Sequence, residues 1–370
     1  MVKERLELNT DRFFDPNPEV RKIARELYES VKDAPIISPH GHVNPELFAE
    51  GPDVRFGNPT ELLIIPDHYL FRMLYSQGIS MESLGIHRVD GSKIKTDPKK
   101  IWQIFAENFY LLRGTPTGIW LDYEFKEVFG IEYKLTKETA MEIYETINKK
   151  LDSPEFSPRK LFDRFKIEVL ATTNSATSDL AHHKAIRNSG WKRRIIPTFR
   201  PDSVINLSTK NCKKNIEELG EVSGIDIHNY EAFIKALRQR RQFFKSMGAV
   251  STDTAVLTPY TEELTKTETS NIFQRALKGK STYEDTERFT AHMIMEMARM
   301  SIEDGLVMQL HCGCYRNHNQ EIYKKFGPDK GGDIPVQTEF TDKLGRLRRL
   351  TFPFSFNFCY NYIIWNTFLA

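Results

Sequence analysis

Short apolar runs alternate with amphipathic helical segments along much of this 370-residue chain. Pro18 to Lys32 carries apolar residues at helical spacing behind Asn17, a suitable cap, and is predicted to form a helix. The apolar run Ala34 to Ser38 follows it and is predicted to be a buried strand of a parallel sheet. His40 and His42 come directly after that strand.

A long helical region comes next. Between residues 60 and 151 apolar faces recur at three-to-four spacing, in the segments Glu61 to Gln77, Pro98 to Leu112, Leu121 to Phe129 and Lys137 to Leu151. So much helix between strands predicts a helical subdomain inserted at 60–151 into a larger fold of residues 1–343.

Strands and helices alternate again after the insertion. The pattern predicts, in order, strand Glu168 to Thr173, a helix near Asp179 to Ser189, strand Arg194 to Arg200, helices Tyr230 to Ser246 and Tyr283 to Asp304, and strand Leu306 to His311. A strand, a helix and a second strand in succession are typical of a right-handed βαβ unit and a parallel sheet.

Three of the predicted strands end at residues that can carry chemistry: His40 with His42, then Arg200, then His311. In a TIM barrel the loops at the carboxyl ends of the strands build the active site. This placement favours an α/β fold of the TIM-barrel type over a doubly wound sheet.

The charge balance argues for a small-molecule ligand. The 52 Lys and Arg residues nearly match the 50 Asp and Glu residues, and no long basic run offers a footprint for nucleic acid or an anionic membrane. No stretch supplies the ~18 uninterrupted apolar residues of a membrane span, and Met1 to Pro16 lacks the apolar core of a signal peptide. We therefore expect a soluble cytoplasmic protein.

The cysteines indicate neither a disulfide framework nor a zinc cluster. Cys212, Cys312, Cys314 and Cys359 lie far apart except for one Cys-X-Cys pair, so reduced thiols are expected.

The histidine pair is the strongest chemical feature of the sequence. Residues two apart in a strand point to the same side, so His40 and His42 can present two imidazoles to one metal ion, with His311 as a third candidate. Gly41 between them leaves room for a close approach of other atoms.

A set of motifs resembles the uronate (glucuronate) isomerases. In chain order these are His40-Gly-His42, Asp67-His68-Tyr69 with Arg72, Ala171-Thr172-Thr173, Pro197-Thr-Phe-Arg200-Pro-Asp202 and Gln309-Leu-His311-Cys-Gly-Cys-Tyr-Arg316-Asn317. The similarity runs from about Arg12 to about Lys343. It implies a metal-dependent (β/α)8 barrel of the amidohydrolase superfamily.

The resemblance also implies the reaction and its metal. Members convert D-glucuronate to D-fructuronate and D-galacturonate to D-tagaturonate with one divalent metal, usually thought to be zinc. It places His40, His42 and His311 at the metal, and Tyr69 and Arg200 against the substrate. A sugar acid is then the expected partner, and whether identical copies assemble stays open.

Further residues follow from the same resemblance. Asp67 and His68 either orient Tyr69 or contact the substrate, and a purely structural role is equally open for both. Arg72, Arg316 and Asn317 are expected to help bind substrate, while Cys312 and Cys314 are expected to pack rather than bind metal.

The proposed chemistry explains these residue types. An aldose acid becomes a ketose acid when a proton moves from C2 to C1 through an enediol, which requires a base, a Lewis acid and a cation for the C6 carboxylate. A guanidinium holds a carboxylate by two parallel hydrogen bonds, which favours Arg200 for that last role. The alternative for Arg200 is an ion pair with Asp202 in a structural turn.

The resemblance fades toward the end of the chain. Phe352, Phe354, Phe356, Phe358, Tyr360 and Tyr362 alternate within an aromatic tail, 344–370, that departs from the family pattern. The last barrel strand of the family, which supplies a metal-binding aspartate, has no counterpart here, and Ser251 to Thr254 replaces a segment that often carries a histidine. The sequence therefore predicts a barrel incomplete at its C-terminus, with a metal short of one carboxylate.

Two other functions stay open at this point. One is a metal-dependent hydrolase, since most of the superfamily cleaves amides or esters, although no bridging lysine stands on the strand that ends at Arg200. The other is an inactive remnant, which the missing final strand would explain.

Overall fold

The computed structural model describes residues 3–94, 97–207, 211–345, 347 and 358–361. The chain divides into two compact units. The helical unit comprises Met1–Ile36, Glu50–Ile167 and Arg316–Ile334. The strand unit comprises Ile37–Ala49, Glu168–Tyr315 and Pro335–Ala370.

The described strands are β1 Ile36–Ser38, β2 Ile167–Ser175, β3 Arg194–Arg200, β4 Ser251–Ala255, β5 Val307–His311, β6 Cys314–Tyr315, β7 Ile334–Pro335 and β8 Phe358–Asn361. The described α-helices are α1 Pro18–Val31, α2 Glu46–Ala49, α3 Pro59–Leu63, α4 His68–Ser76, α5 Pro98–Glu107, α6 Pro116–Tyr123, α7 Ala140–Leu151, α8 Pro158–Arg164, α9 Ala181–Asn188, α10 Asp202–Ile205, α11 Cys212–Ser223, α12 Tyr230–Ser246, α13 Lys266–Leu277, α14 Tyr283–Asp304 and α15 Gln320–Phe326. Short 3-10 turns cover Glu82–Leu84, Phe109–Leu112 and Pro154–Phe156, and a π-helical turn covers Glu124–Val128.

Six described strands form one sheet in the order β1, β2, β3, β4, β5, β8. The pairs β2 with β3, β3 with β4, β4 with β5 and β5 with β8 are all parallel, and helices connect them. This arrangement confirms the predicted α/β class and is TIM-barrel-like. The finer prediction, a (β/α)8 barrel of the amidohydrolase type that is incomplete at its C-terminus, stays a prediction.

The aromatic tail contributes a strand to this sheet. Most of 344–370 lies outside the described residues, but β8 pairs with β5 from Met308 opposite Phe358 to His311 opposite Asn361. The described backbone of the tail thus continues the parallel order.

The helix predicted over Glu61 to Gln77 is two helices. Asn58 caps α3 with a capping box, and α3 ends before Pro66, whose ring nitrogen has no hydrogen to donate. Asp67 starts α4, because its carboxylate accepts hydrogen bonds from the backbone N–H groups of Tyr69 and Leu70. The end of α3 and the start of α4 are therefore determined by local chemistry, which the spacing of apolar residues does not reveal.

Each unit has its own apolar core. In the helical unit the indole of Trp102 is fully buried and donates to the carbonyl of Ala140 at 2.8 Å. In the strand unit Phe199 of β3 packs edge-on against Phe244 of α12, with ring centroids 5.2 Å apart. None of the helices in the described ranges combines the length and apolar character that a membrane crossing requires.

A buried ion pair fixes two helices of the strand unit. The guanidinium of Arg241 on α12 is fully buried and donates to both carboxylate oxygens of Asp304, at 2.6 and 2.9 Å. Asp304 also accepts from the N–H of Leu306 at 3.0 Å, one residue before β5 begins. The pair thus holds the entry to the strand that carries His311.

A buried histidine ties α9 to β2. The ring of His183 is 3 % exposed, and its Nε2 lies 2.8 Å from the hydroxyl oxygen of Thr172. Burial, with a smaller contribution from neighbouring His182, lowers the pKa of His183 to about 4. The folded protein therefore keeps this imidazole neutral at pH values where an unfolded chain protonates it.

This difference predicts a pH-dependent stability. Between pH 6.5 and about 4 the unfolded chain binds a proton that folded His183 does not, so the free energy of unfolding should fall by about 3 kcal/mol as pH drops through that window. His183→Gln, which keeps polar atoms near Thr172 but cannot titrate, should remove that part of the fall. Urea unfolding of both proteins at several pH values measures it, and parallel curves for the two would contradict the assignment.

Candidate functional site

Parallel pairing brings three polar side chains to one edge of the sheet. Arg200 is the last residue of β3, Asp253 lies inside β4, and His311 is the last residue of β5. In the register of β4 and β5, Asp253 is opposite Gln309 and Ala255 is opposite His311. Since residues two apart share a face, Asp253 and His311 project from the same side of the sheet.

His40, Asp253 and His311 form a compact group of possible metal ligands. One donor atom from each lies within 4.8 Å of the other two. The Nε2 of His311 is 2.9 Å from Oδ1 of Asp253, and Nδ1 of His40 is 4.0 Å from Oδ2. The Asp253 side chain is completely buried.

The donor atoms of this group fit a cation. Both carboxylate oxygens of Asp253 and Nδ1 of His40 are buried and make no hydrogen bond of good geometry with the described residues, although His311 Nε2 lies 2.9 Å from Oδ1 and Arg200 Nη1 lies 3.3 Å from Oδ2. Buried polar atoms left in this way are costly unless something binds them. Two imidazoles and one carboxylate suit zinc and several other divalent transition metals.

The backbone around His40 is held firmly by the sheet. The side-chain amide of buried Gln309 donates to the carbonyl of Pro39 at 3.1 Å, and the N–H of Thr173 donates to the carbonyl of Gly41 at 3.0 Å. A Cβ at position 41 would lie 2.9 Å from the carbonyl oxygen of Ala171. Glycine is therefore required between the two histidines because the chain passes against β2.

The electrostatics of the group favour a charged Asp253 carboxylate beside a neutral His40 imidazole. Burial would raise the pKa of Asp253, but the close His311 nitrogen, the Arg200 guanidinium and the nearby His40 ring lower that pKa below its ordinary value. For His40, burial is the main effect and lowers the pKa to about 4 against the attraction of Asp253. A neutral imidazole and an ionised carboxylate are the forms that bind metals.

Arg200 contacts two carboxylates at once. Its Nε donates to Oδ2 of Asp202 at 2.6 Å, and Nη1 lies 3.3 Å from Oδ2 of Asp253. Asp202 also accepts from the N–H of Ala255 at 3.1 Å. The ion pair with Asp202 that the sequence left as an alternative thus exists, and the same guanidinium also reaches Asp253.

His42 lies beside His40 rather than inside the compact group. Its Nε2 is 3.1 Å from Nε2 of His40, and the rings meet edge to face with centroids 4.8 Å apart. Its predicted role as a metal ligand stays a prediction. Cys312 is buried and burial raises its pKa to about 12, which favours the packing role expected for it.

The other predicted site residues belong to the helical unit, where they cluster around the start of α4. Asp67 caps this helix, so one of its oxygens is committed to the N–H groups of Tyr69 and Leu70, and burial raises its pKa. His68 and Tyr69 occupy the first turn, with ring centroids 4.2 Å apart. The orienting role considered for Asp67 therefore has a direct structural basis.

A pair of loops packs against this helix start. Asn317 and Asp329 both adopt left-handed backbone conformations, with φ of 54° and 56°, and the N–H of Asn317 donates to Asp333 at 2.7 Å. Arg316 lies 3.3 Å from Asp329. Left-handed residues other than glycine are costly and are often found at functional sites.

The loops reach the predicted residues of α4. A Cβ at position 331 would lie 2.9 Å from the carbonyl oxygen of His68 and would also crowd Arg72. Burial lowers the pKa of His68, although the carboxylates of Asp329, Asp67 and Asp333 oppose that effect. Within the helical unit, the structure thus gathers the predicted residues of α4 with Arg316 and Asn317.

Asp253 is the candidate functional residue that the sequence did not reveal. The expected carboxylate was assigned to a later strand, whereas β4 supplies one next to His40 and His311. A signal was present: Ser251, Thr252, Asp253 and Thr254 form a strand of four consecutive polar residues, all of them buried. Polar residues rarely fill a buried strand without a ligand or a network to satisfy them.

The fold and site define a TIM-barrel-like α/β protein with a candidate metal centre at the carboxyl ends of its strands. Comparison with known proteins gives the family: the sequence profile described as glucuronate isomerase matches residues 11–351. The chain belongs to the glucuronate isomerase family.

Individual relatives agree with this assignment. The chain is similar to the uronate isomerase of Nostoc punctiforme, with 48 % identity over 93 % of this chain and 72 % of the relative. It is also similar to the uronate isomerase of Xanthomonas axonopodis pv. citri, with 45 % identity over 92 % of this chain and 71 % of the relative.

Two solved structures share the fold. The glucuronate isomerase of Caulobacter crescentus has a TM-score of 0.89 and 44 % identity, covering 94 % of this chain and 72 % of that chain. The uronate isomerase of Thermotoga maritima has a TM-score of 0.85 and 29 % identity, covering 96 % and 75 %.

The geometry predicts that Asp253 determines metal affinity. Asp253→Asn keeps the size of the side chain but removes its charge, so the affinity for Zn²⁺ should fall at least about tenfold. Isothermal titration of the chelator-treated protein with Zn²⁺ measures the change. Asp226→Asn, at a 93 % exposed aspartate of the same unit, is the matched control and should bind as tightly as the unaltered chain. Equal affinity of Asp253→Asn and the control would exclude Asp253 from the centre.

Proposed function

We propose that this chain isomerises uronates, converting D-glucuronate to D-fructuronate and D-galacturonate to D-tagaturonate. The observation that carries the proposal is the group of His40, Asp253 and His311 at the strand ends of a glucuronate isomerase family member. The fold that accompanies this proposal is a (β/α)8 barrel of the amidohydrolase type, of which the described sheet forms six strands.

The metal centre is proposed to hold one divalent ion, with zinc as the first candidate. His40, Asp253 and His311 would hold it, with His42 as a further ligand. When bound, the ion supplies a Lewis acid for the oxygens at C1 and C2 of the open-chain sugar. The low pKa of Asp253 and the low pKa of His40 keep both groups in their metal-binding forms at neutral pH.

The chain's own groups are proposed to position the sugar and handle its proton. Asp253 is ionised and is the buried carboxylate of the centre, so it is a candidate base for the C2 proton. Tyr69 is proposed to hydrogen-bond an oxygen of the sugar, with Asp67 and His68 positioning it. Arg200, Arg72, Arg316 and Asn317 are proposed to bind the substrate, Arg200 by attracting its carboxylate end.

The proposal predicts metal-dependent isomerisation by the purified chain. Metal-replete protein in D2O should convert D-glucuronate to a ketose that carries deuterium at C1, as followed by proton NMR. His40→Ala should lower kcat/KM at least about 10²-fold, since the Lewis acid contributes several kcal/mol to the transition state. His228→Ala, at an exposed histidine of the same unit, should leave kcat/KM unchanged.

Two results would contradict the proposal. The first is the absence of ketose from either uronate when the protein contains a full equivalent of metal. The second is metal-dependent hydrolysis of amide or ester substrates without isomerisation, which would move the chain to the hydrolase alternative. Zn²⁺, Mn²⁺ and Co²⁺ restored singly after chelation determine which metal supports turnover.

A further inference from the structure

Helix α1, Pro18–Val31, leaves its apolar face exposed. None of its 14 residues is buried. The large apolar side chains of this face are between 48 % and 66 % exposed, and they are Val20, Ile23, Leu27, Tyr28 and Val31. Single exposed apolar residues are common on protein surfaces, but a contiguous group of them indicates an interaction site. We call these five residues the α1 stripe.

The spacing of the α1 stripe is that of a helix packed against another helix. Val20 and Leu27 are seven residues apart, and Ile23 and Val31 each lie four residues from Leu27. At 3.6 residues per turn these side chains project from one side of the helix. The stripe is therefore suited to a helical partner whose side chains pack between its own.

The N-terminal segment of the chain packs beside the α1 stripe without covering it. Phe14 meets the ring of Tyr28 edge-on, with centroids 5.9 Å apart, and Asp11 forms ion pairs with Arg21 and Arg25. Tyr28 nevertheless stays 50 % exposed. These contacts anchor α1 from one side, so the helix is held in place while its apolar face is open to a partner.

Opposite charges border the two sides of the α1 stripe. At about 100° per residue, Glu19 and Glu26 lie roughly 100–120° to one side of its centre. Arg21, Arg25 and Lys32 lie roughly 100–140° to the other side. Within the described part of the chain, neither of the two glutamates has an ion pair. The stripe thus has one acidic border and one basic border.

This charge distribution favours a parallel pair of two copies. A twofold axis parallel to the helices sets the acidic border of one helix against the basic border of its partner, whereas an antiparallel pair sets like borders together. The basic border stays positive, because its three cations outnumber the carboxylates of Asp11 and Glu29 that pair with them. A second copy of this chain therefore matches both the apolar stripe and its charged borders.

The area of the α1 stripe fits a weak dimer. Five side chains exposed by about half to two thirds offer roughly 350 Å² of apolar surface per copy. Pairing two stripes would remove about twice that area from water, to which the charged borders add. Interfaces below about 1,200 Å² belong to transient complexes, so we expect a dissociation constant of about 10–100 μM.

We propose that two copies of this chain associate through the α1 stripe, with the two α1 helices parallel across a twofold axis. The interface includes no residue of the candidate metal centre and none of the predicted substrate-binding residues. The proposal is therefore independent of the isomerase function, and either can fail without the other.

Sedimentation velocity of the full chain tests the association. The mean mass should rise from 43.1 kDa toward twice that value as the protein concentration increases from about 1 to 200 μM. Leu27→Lys would bury a charge in the centre of the interface, so it should raise the dissociation constant at least about tenfold. Val89→Lys alters a 63 % exposed valine of the same helical unit and is the matched control, with no change expected.

A cysteine cross-link tests the parallel arrangement at a concentration where the dimer forms. In a parallel pair identical positions of the stripe face each other, so Val20→Cys should form a disulfide between two copies under mild oxidation with diamide. Lys22→Cys, on the opposite side of α1, is the matched control. It should give no more cross-linked dimer than the unaltered chain, which contains four cysteines of its own.

Three results would overturn the proposal. The first is a constant mass of 43.1 kDa at every concentration; protection of Val20→Cys from a maleimide in that monomer would show that the same chain covers the stripe. The second is a dimer that Leu27→Lys leaves as stable as Val89→Lys does, which would place the interface elsewhere. The third is a dimer in which Val20→Cys forms no more cross-link than Lys22→Cys, which would exclude parallel pairing.

Discussion

The fully buried carboxylate of Asp253 is the constraint on which the strand unit depends. An isolated ionised carboxylate in a protein interior costs many kcal/mol unless cationic groups or hydrogen bonds surround it. Here the compensation comes from the neighbouring strand ends, through His311 on β5 and Arg200 on β3, and from His40 after β1. Parallel pairing of the strands brings these three side chains to the carboxylate of Asp253. The order of the strands in the sheet therefore determines which groups stabilise that carboxylate.

Asp202 contributes indirectly to the stabilisation of the buried Asp253 carboxylate. Arg200 can contact Asp253 only if its guanidinium is oriented, and Asp202 orients it through Nε while accepting the N–H of Ala255 at the end of β4. Burial raises the pKa of Asp202, and the attraction of Arg200 opposes that rise. Asp202 therefore joins the ends of β3 and β4 and fixes the direction from which Arg200 meets the centre.

The sequence predicted those parts of the fold whose signal is local. Strands β2, β3 and β5 are apolar runs, and α12 and α14 have regular apolar faces, so periodicity was sufficient for each. It failed at β4, because Ser251 to Thr254 are polar although buried, and their stability depends on partners from other strands. Asp253 was missed for the same reason, since its role arises from His40 and His311, which are distant in sequence. The break between α3 and α4 was missed because a cap at Asp67, rather than apolar spacing, decides it.

Arg200 contacts two carboxylates, and these contacts determine the net charge that an anionic substrate would encounter at this edge of the sheet. Leaving the imidazoles aside, the two carboxylates Asp202 and Asp253 against one guanidinium give a formal charge of −1. A uronate is repelled by that balance, whereas a bound dication would reverse it to +1 and attract the acid. Attraction of the acid by Arg200 would therefore depend on the bound cation, because the two carboxylates that Arg200 contacts outweigh its single positive charge.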